Sequence, residues 1–216
     1  MDIIGKLGQL GVIPIVRIEN VEQAPRLAEA LMIAGLPCAE ITFRTNCAGE
    51  SIERIIAAQP DMLVGAGTVL SVDQARQAIS AGARFIVSPG LNLQVIDHCL
   101  DHGVAVIPGI ATPTEAMLAM SRGLTVLKFF PAEALGGIQY LQAISPALPG
   151  ARYIPTGGIS AGNMVAWLKL RIVHAVAGSW LLTSKLLAEA RFDEITRLAA
   201  QAVENVKTAR QPVEEI

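Results

Sequence analysis

VAVIPGIATPTEAMLAMSRGLTVLKF, residues 104–129, holds one full repeat of the pattern that runs through the chain. Residues 104–107 form a short β-branched run of the kind that suits a buried, pleated strand. Thr112-Pro-Thr-Glu115 then reads as a capping box with proline at the first helical position, and residues 114–120 carry apolar side chains at helical period. Gly123 ends that helix, where a residue without Cβ tolerates the left-handed cap. The next strand follows at once, at residues 126–129.

The same unit recurs on both sides. Strand-like runs stand at 12–16, 38–43, 63–66, 85–87, 153–155 and 173–177 as well, which makes eight. Amphipathic segments at 21–34, 48–58 and 72–81 lie between them; Asn20-Val-Glu-Gln23 and Ser71-Val-Asp-Gln74 mark helix starts, and Gly35, Gly82 and Gly103 mark ends. Eight βα units of about 20 to 25 residues predict an α/β fold, a single-domain (β/α)8 TIM barrel over residues 1–216. The doubly wound open sheet is the rival, but it has fewer strands and a Gly-rich loop after the first one. Here the first strand runs into Arg17-Ile18 instead. Residues 1–9 are expected to form a short N-terminal helix closing the barrel bottom, 193–209 the last outer helix, and 211–216 a frayed tail. Nothing in the sequence reads as a linker or a second domain.

With 52% hydrophobic and 17% charged residues, the 216-residue chain can bury a substantial core. A net charge of -2 and the lack of a basic cluster argue against nucleic acid, which needs concentrated Lys and Arg, and favour a small-molecule substrate. No cleavable leader is apparent and no apolar run reaches the ~18 residues of a membrane span, so no membrane partner and a cytoplasmic location are expected. Cys38, Cys47 and Cys99 show neither disulfide nor metal spacing, and Cys38 reads as a small core residue.

Chemistry in a barrel sits at the C-terminal ends of the strands. Side chains alternate along AEITFR, residues 39–44, so Glu40, Thr42 and Arg44 share one face, and Ile41 and Phe43 the other. If the apolar pair packs on the helices, the polar set points into the barrel and its mouth. The same parity turns Val126 and Lys128 inward, beside that polar face and near Arg44. Among apolar neighbours an ammonium is costly unless paired or shed, and a neutral lysine can form a Schiff base with a ketone. The pattern fits equally a structural ion pair filling the barrel.

The seventh and eighth strands end in Thr156-Gly157-Gly158 and Ala177-Gly178-Ser179. Glycine turns at these two positions suit phosphate, since backbone N–H groups approach the oxygens closely and a serine hydroxyl adds a donor. His98 and His102 have i, i+4 spacing but no third ligand, so a surface role is expected and no metal site. His174 is expected to be structural, and Met117 and Met120 to pack the helix.

GLPCAEITFR (35–44) and GLTVLKFFPAEALGG (123–137) resemble the signature segments of the 2-keto-3-deoxy-6-phosphogluconate and 4-hydroxy-2-oxoglutarate aldolases. The likeness continues through VGAGTVL (64–70), SPGL (88–91), IPGIATPTE (107–115) and PTGGIS (155–160), in order over nearly the whole chain. The resemblance implies a metal-free class I aldolase without a cofactor, on a (β/α)8 barrel and usually a homotrimer. Its substrate would be a phosphorylated 2-keto-3-deoxy sugar acid, and its products pyruvate and glyceraldehyde 3-phosphate. It makes Lys128 the Schiff-base residue and Glu40 the general acid/base. Arg44 and Thr68 would meet the substrate carboxylate with Arg17 a further candidate, Pro89 and Phe130 would line the pocket, and Thr156 would lie by the sugar hydroxyls. Gly157, Gly158, Gly178 and Ser179 would take the phosphate. Ala177 departs from the pattern, in which many relatives carry a second glycine. An aldolase for the galactonate epimer, a metal-dependent aldolase or isomerase, and a non-catalytic sugar-phosphate binding barrel are the rivals to be tested.

Overall fold

A computed structural model describes residues 2–211. The helices are α1 (Ile3–Leu10), α2 (Ala24–Ile33), α3 (Ala48–Ala58), α4 (Val72–Ser80), α5 (Leu93–Asp101), α6 (Pro113–Met120), α7 (Gly137–Ile144), α8 (Met164–Leu168), α9 (Ser184–Ala188) and α10 (Phe192–Arg210). The strands between them are β1 (Val12–Val16), β2 (Cys38–Thr42), β3 (Leu63–Gly67), β4 (Phe85–Val87), β5 (Ala105–Ile107), β6 (Gly109–Ile110), β7 (Val126–Phe129), β8 (Arg152–Pro155) and β9 (Val176–Gly178). The tail expected at 211–216 lies, beyond Gln211, outside the described residues.

Every strand pairing is parallel, as βα crossovers require. Six strands follow the order β5-β4-β3-β2-β1-β9, and β6-β7-β8 form a second ladder. β8 meets the segment containing β9 at two bridges, Tyr153 to Val173 and Thr156 to Ala177. The result is a curled parallel sheet with helices on its outer side.

Three boundaries differ from the sequence reading. The fifth strand, expected over 104–107, is followed beyond Pro108, which has no N–H for the ladder, by the two-residue β6; β5 pairs with β4, and β6 with β7. β2 ends at Thr42, so Phe43 and Arg44 lie in the turn beyond it. The last strand starts at Val176, leaving His174 ahead of it, where its Nε2 meets the Ile4 carbonyl at 2.8 Å.

The caps follow the sequence. Thr112 and Glu115 form the reciprocal box, and Ser71 accepts from Gln74 N. Asn20 accepts from Glu22 N, but over a short 3-10 turn that precedes α2. Asp2 caps α1 by accepting from Gly5 N at 2.8 Å.

Alternation along the strands sorts the core into two bodies. Ala39, Ile41, Leu127 and Phe129 face outward into the layer between sheet and helices. Ile13, Cys38, Leu63, Phe85, Ile107, Val126, Ile154 and Ala175 face inward and form a second cluster with Leu7 of α1, which is fully buried there. A buried leucine is worth about 2 kcal/mol in transfer free energy, which ties α1 to the strand interior. Met120 packs on the outer layer, but Met117 is 62% exposed and does not pack the helix as expected, because it sits on the solvent side of α6.

Candidate active site

The inner face of the sheet is apolar toward the strand starts and turns polar toward their ends. On β2 the inward column runs from Cys38 to Glu40 to Thr42, all buried. Thr42 satisfies its hydroxyl by donating to the Val16 carbonyl at 3.0 Å. On β7 the inward pair is Val126 and Lys128. Lys128 Nζ stands 3.8 Å from Glu40 Oε1, with the two side chains 7% and 2% exposed. That separation is longer than a hydrogen bond, and Glu40 Oε1 has no hydrogen-bond partner among the described residues. Lys128 Nζ also lies 5.2 Å from the centroid of the Phe130 ring, within cation–π range.

Sequence parity thus placed Glu40 and Lys128 correctly, but the room for the carboxylate comes from a residue it did not single out. Gly67 is the inward residue at the end of β3, paired with Thr42, and a methyl group there would overlap the Glu40 carboxylate. The only sequence signal was the glycine within an otherwise apolar strand. Next to Glu40, the Cys38 thiol is pushed far up by burial and then by the carboxylate, so it stays protonated.

Arg44 and Thr68 meet at the rim. Arg44 Nε donates to Thr68 Oγ1 at 3.3 Å. Thr68 holds φ at +57°, a left-handed conformation that is costly for a β-branched residue and marks a constrained site. Arg17 follows β1 on the surface and pairs with Glu19 at 3.0 Å. Pro89 is half-buried after β4, with its carbonyl close against Gly109.

A cavity of about 440 Å³ opens at this end of the sheet. Arg17, Arg44, Phe130, Thr156, Gly157, Gly158, Gly178 and Ser179 all line it. Thr68 and Pro89 do not, nor do the deeper Glu40 and Lys128. Thr156 is buried and donates to the Ile154 carbonyl at 3.3 Å. Gly157 and Gly158 have φ of +94° and +80°, which explains why glycine is needed in that turn. Thr183 and Ser184 line the same cavity although the sequence reading passed over them; Thr183 caps α9, so the signal was an ordinary helix start. A larger groove of about 700 Å³ runs along α3 and α4 on the outer surface and takes in only Arg44 of the expected site.

The rings of His98 and His102, on and just after α5, lie 4.2 Å apart and tilted by 42°, and His102 Nδ1 meets the His98 carbonyl. Among the described residues no group of three His, Cys, Asp or Glu is placed to hold a metal, and no helix is long and apolar enough to cross a membrane.

Residues 3–198 match the sequence profile described as KDPG and KHG aldolase, the abbreviations standing for the two keto acids introduced above. A 2-dehydro-3-deoxy-phosphogluconate aldolase of Treponema pallidum is 46% identical over 93% of this chain and 95% of its own. A KHG/KDPG aldolase of Escherichia coli K12 is 42% identical over 91% and 92%. Among solved structures, a KDPG aldolase from Legionella pneumophila, with pyruvate captured as a covalent carbinolamine intermediate, superimposes with a TM-score of 0.88. It is 37% identical and the match covers 93% of this chain and 97% of that one.

Proposed function

The chain belongs to the KDPG and KHG aldolase family, and from that premise we propose that it is a class I aldolase cleaving 2-keto-3-deoxy-6-phosphogluconate to pyruvate and glyceraldehyde 3-phosphate. It acts also on 4-hydroxy-2-oxoglutarate and serves the Entner–Doudoroff route in the cytoplasm. The observation that carries this reading is the buried approach of Lys128 to Glu40 at the strand ends, near a cavity lined by Arg17, Arg44 and the glycine turns. The fold is read as one (β/α)8 barrel over residues 1–216, with α1 across its base, and the working form as a homotrimer. No metal or cofactor takes part.

Lys128 attacks the C2 ketone as the free amine, giving a carbinolamine. Glu40 protonates the departing hydroxyl, and water leaves an iminium. Glu40 then removes the C4 hydroxyl proton, the C3–C4 bond breaks, and its electron pair passes into the iminium to give an enamine. Glyceraldehyde 3-phosphate departs. Protonation of the enamine at C3, and addition of water to the resulting iminium, release pyruvate and restore the amine. The orphan oxygen of Glu40 suits this work, because among the described residues no protein donor occupies the lone pair that takes up the proton.

Arg44 and Thr68 hold the C1 carboxylate, with Arg17 adding positive charge, and Pro89 and Phe130 flank the carbon chain. Thr156 faces the sugar hydroxyls. Gly157, Gly158, Gly178 and Ser179 receive the phosphate, and anchoring both ends fixes which bond lies over Lys128.

The test is pyruvate release from 2-keto-3-deoxy-6-phosphogluconate and from its galactonate epimer, side by side with EDTA present. Preference for the gluconate compound is expected. Preference for the epimer would reassign the substrate, loss of activity with EDTA would point to metal chemistry, and no release from either would leave a binding protein.

A further inference from the structure

Gly157 and Gly158 are the two residues of the phosphate turn least able to hold their own conformation, since glycine loses more freedom on ordering than any other residue. Their order has to come from neighbours. Asn163 Nδ2 donates to the Gly158 carbonyl at 3.0 Å, and Asn163 Oδ1 accepts from Ser160 N at 2.8 Å. The same Nδ2 donates to Glu133 Oε1 at 3.2 Å. Glu133 Oε1 also accepts from Trp167 Nε1 at 2.8 Å, and Trp167 is fully buried on α8. From the other side, Glu133 N donates to the Gly157 carbonyl at 3.1 Å, and the Gly158 Cα packs on the Glu133 stem so closely that a methyl group there would collide with it.

Glu133 therefore links a rigid core tryptophan to both glycines of the turn without lining the cavity itself. A carboxylate placed behind an anion site works against the anion, so its charge is not what binds substrate. Its use is as a strong acceptor that holds two donors at once.

We propose that Glu133 is a positioning residue which, through Asn163 and Trp167, presets the Gly157-Gly158 backbone and so gives the site its selectivity for a phosphorylated substrate, with no part in the chemistry at Lys128. The inference rests on the reading of that turn as the phosphate cradle.

The test compares Glu133→Ala, Asn163→Ala and Glu133→Gln with the unaltered protein. One readout is kcat and KM for 2-keto-3-deoxy-6-phosphogluconate; the other is borohydride trapping of pyruvate, which carries no phosphate. In the two alanine variants KM is expected to rise about tenfold, the scale of one lost hydrogen bond, while pyruvate trapping keeps its rate. Glu133→Gln keeps an acceptor oxygen and is expected to restore KM. A parallel loss of trapping and cleavage in both alanine variants would reduce the network to plain structural support, and an unchanged KM would deny it any role. Either result overturns the inference while the aldolase reading stands. If the unaltered protein neither traps pyruvate nor cleaves the sugar acid, both fall together.

Discussion

Lys128 Nζ lies 3.8 Å from Glu40 Oε1, the amine carried by β7 and the carboxylate by β2, with almost no solvent reaching either. The two strands are not neighbours in the sheet, so the pair faces across the interior. The distance is too long for a hydrogen bond, which leaves the carboxylate oxygen without a donor among the described residues. In water such a pair would exchange protons with solvent. Buried, the two groups face each other with the protein interior around them.

Borohydride added with pyruvate will label the chain covalently, and peptide mapping will find the adduct on Lys128. Lys128→Ala will take no label and release no pyruvate. Labelling that persists in this variant would sink the assignment of the amine.

Glu40→Gln keeps the shape of the side chain and loses its ability to carry a proton. Pyruvate binding is expected to survive, while kcat falls by about 10²- to 10⁴-fold, the usual weight of a general acid/base. A near-normal kcat would mean that another group moves the protons.

Gly67→Ala places a methyl group where the Glu40 carboxylate now lies. Something must shift, and overpacking of this kind costs about 1 to 3 kcal/mol of stability. The variant is expected to melt earlier and to lose turnover more than the melting shift explains, because the group displaced is the proposed acid/base. Wild-type kcat/KM in a folded Gly67→Ala protein would show that the position of Glu40 is not critical.

His174 offers a pH test away from the site. Burial lowers its pKa, and the nearby Arg152 and Arg210 act in the same direction against the opposing bond to Ile4. A base whose pKa is depressed on folding lends stability while it is neutral. That contribution is complete above the unfolded value of about 6.5 and is lost as pH falls below it. Thermal melts should show Tm declining from neutral pH toward pH ~5.5, with a shallower decline in His174→Gln. Equal slopes in the two proteins would remove His174 as the cause.

The alternation of strand and helix was legible because it depends on local physics. Short β-branched runs, capping residues and left-handed glycines act within a few positions of themselves. Parity along β2 and β7 was legible for the same reason, and it turned Glu40 and Lys128 inward without any knowledge of what they would meet. The same rule extended the strand two residues past the point where the ladder stops, yet Arg44, in the turn beyond, still lines the cavity at the mouth. It gave no hint of the Thr68 hydroxyl that receives the guanidinium.

The strand break at Pro108 lay in plain view as a residue without an N–H, yet the division of its two halves between different neighbours depends on where those neighbours lie. The meeting of Lys128 with Glu40, the space that Gly67 leaves for the carboxylate, and the bracing of Gly158 by Glu133 and Asn163 join residues far apart in the chain. By itself the sequence determined the repeating βα units, the inward faces and the residues able to do the chemistry. Only the tertiary structure decided which of those residues stand within reach of one another, because the curl of the sheet, rather than any local propensity, sets the distances across its interior.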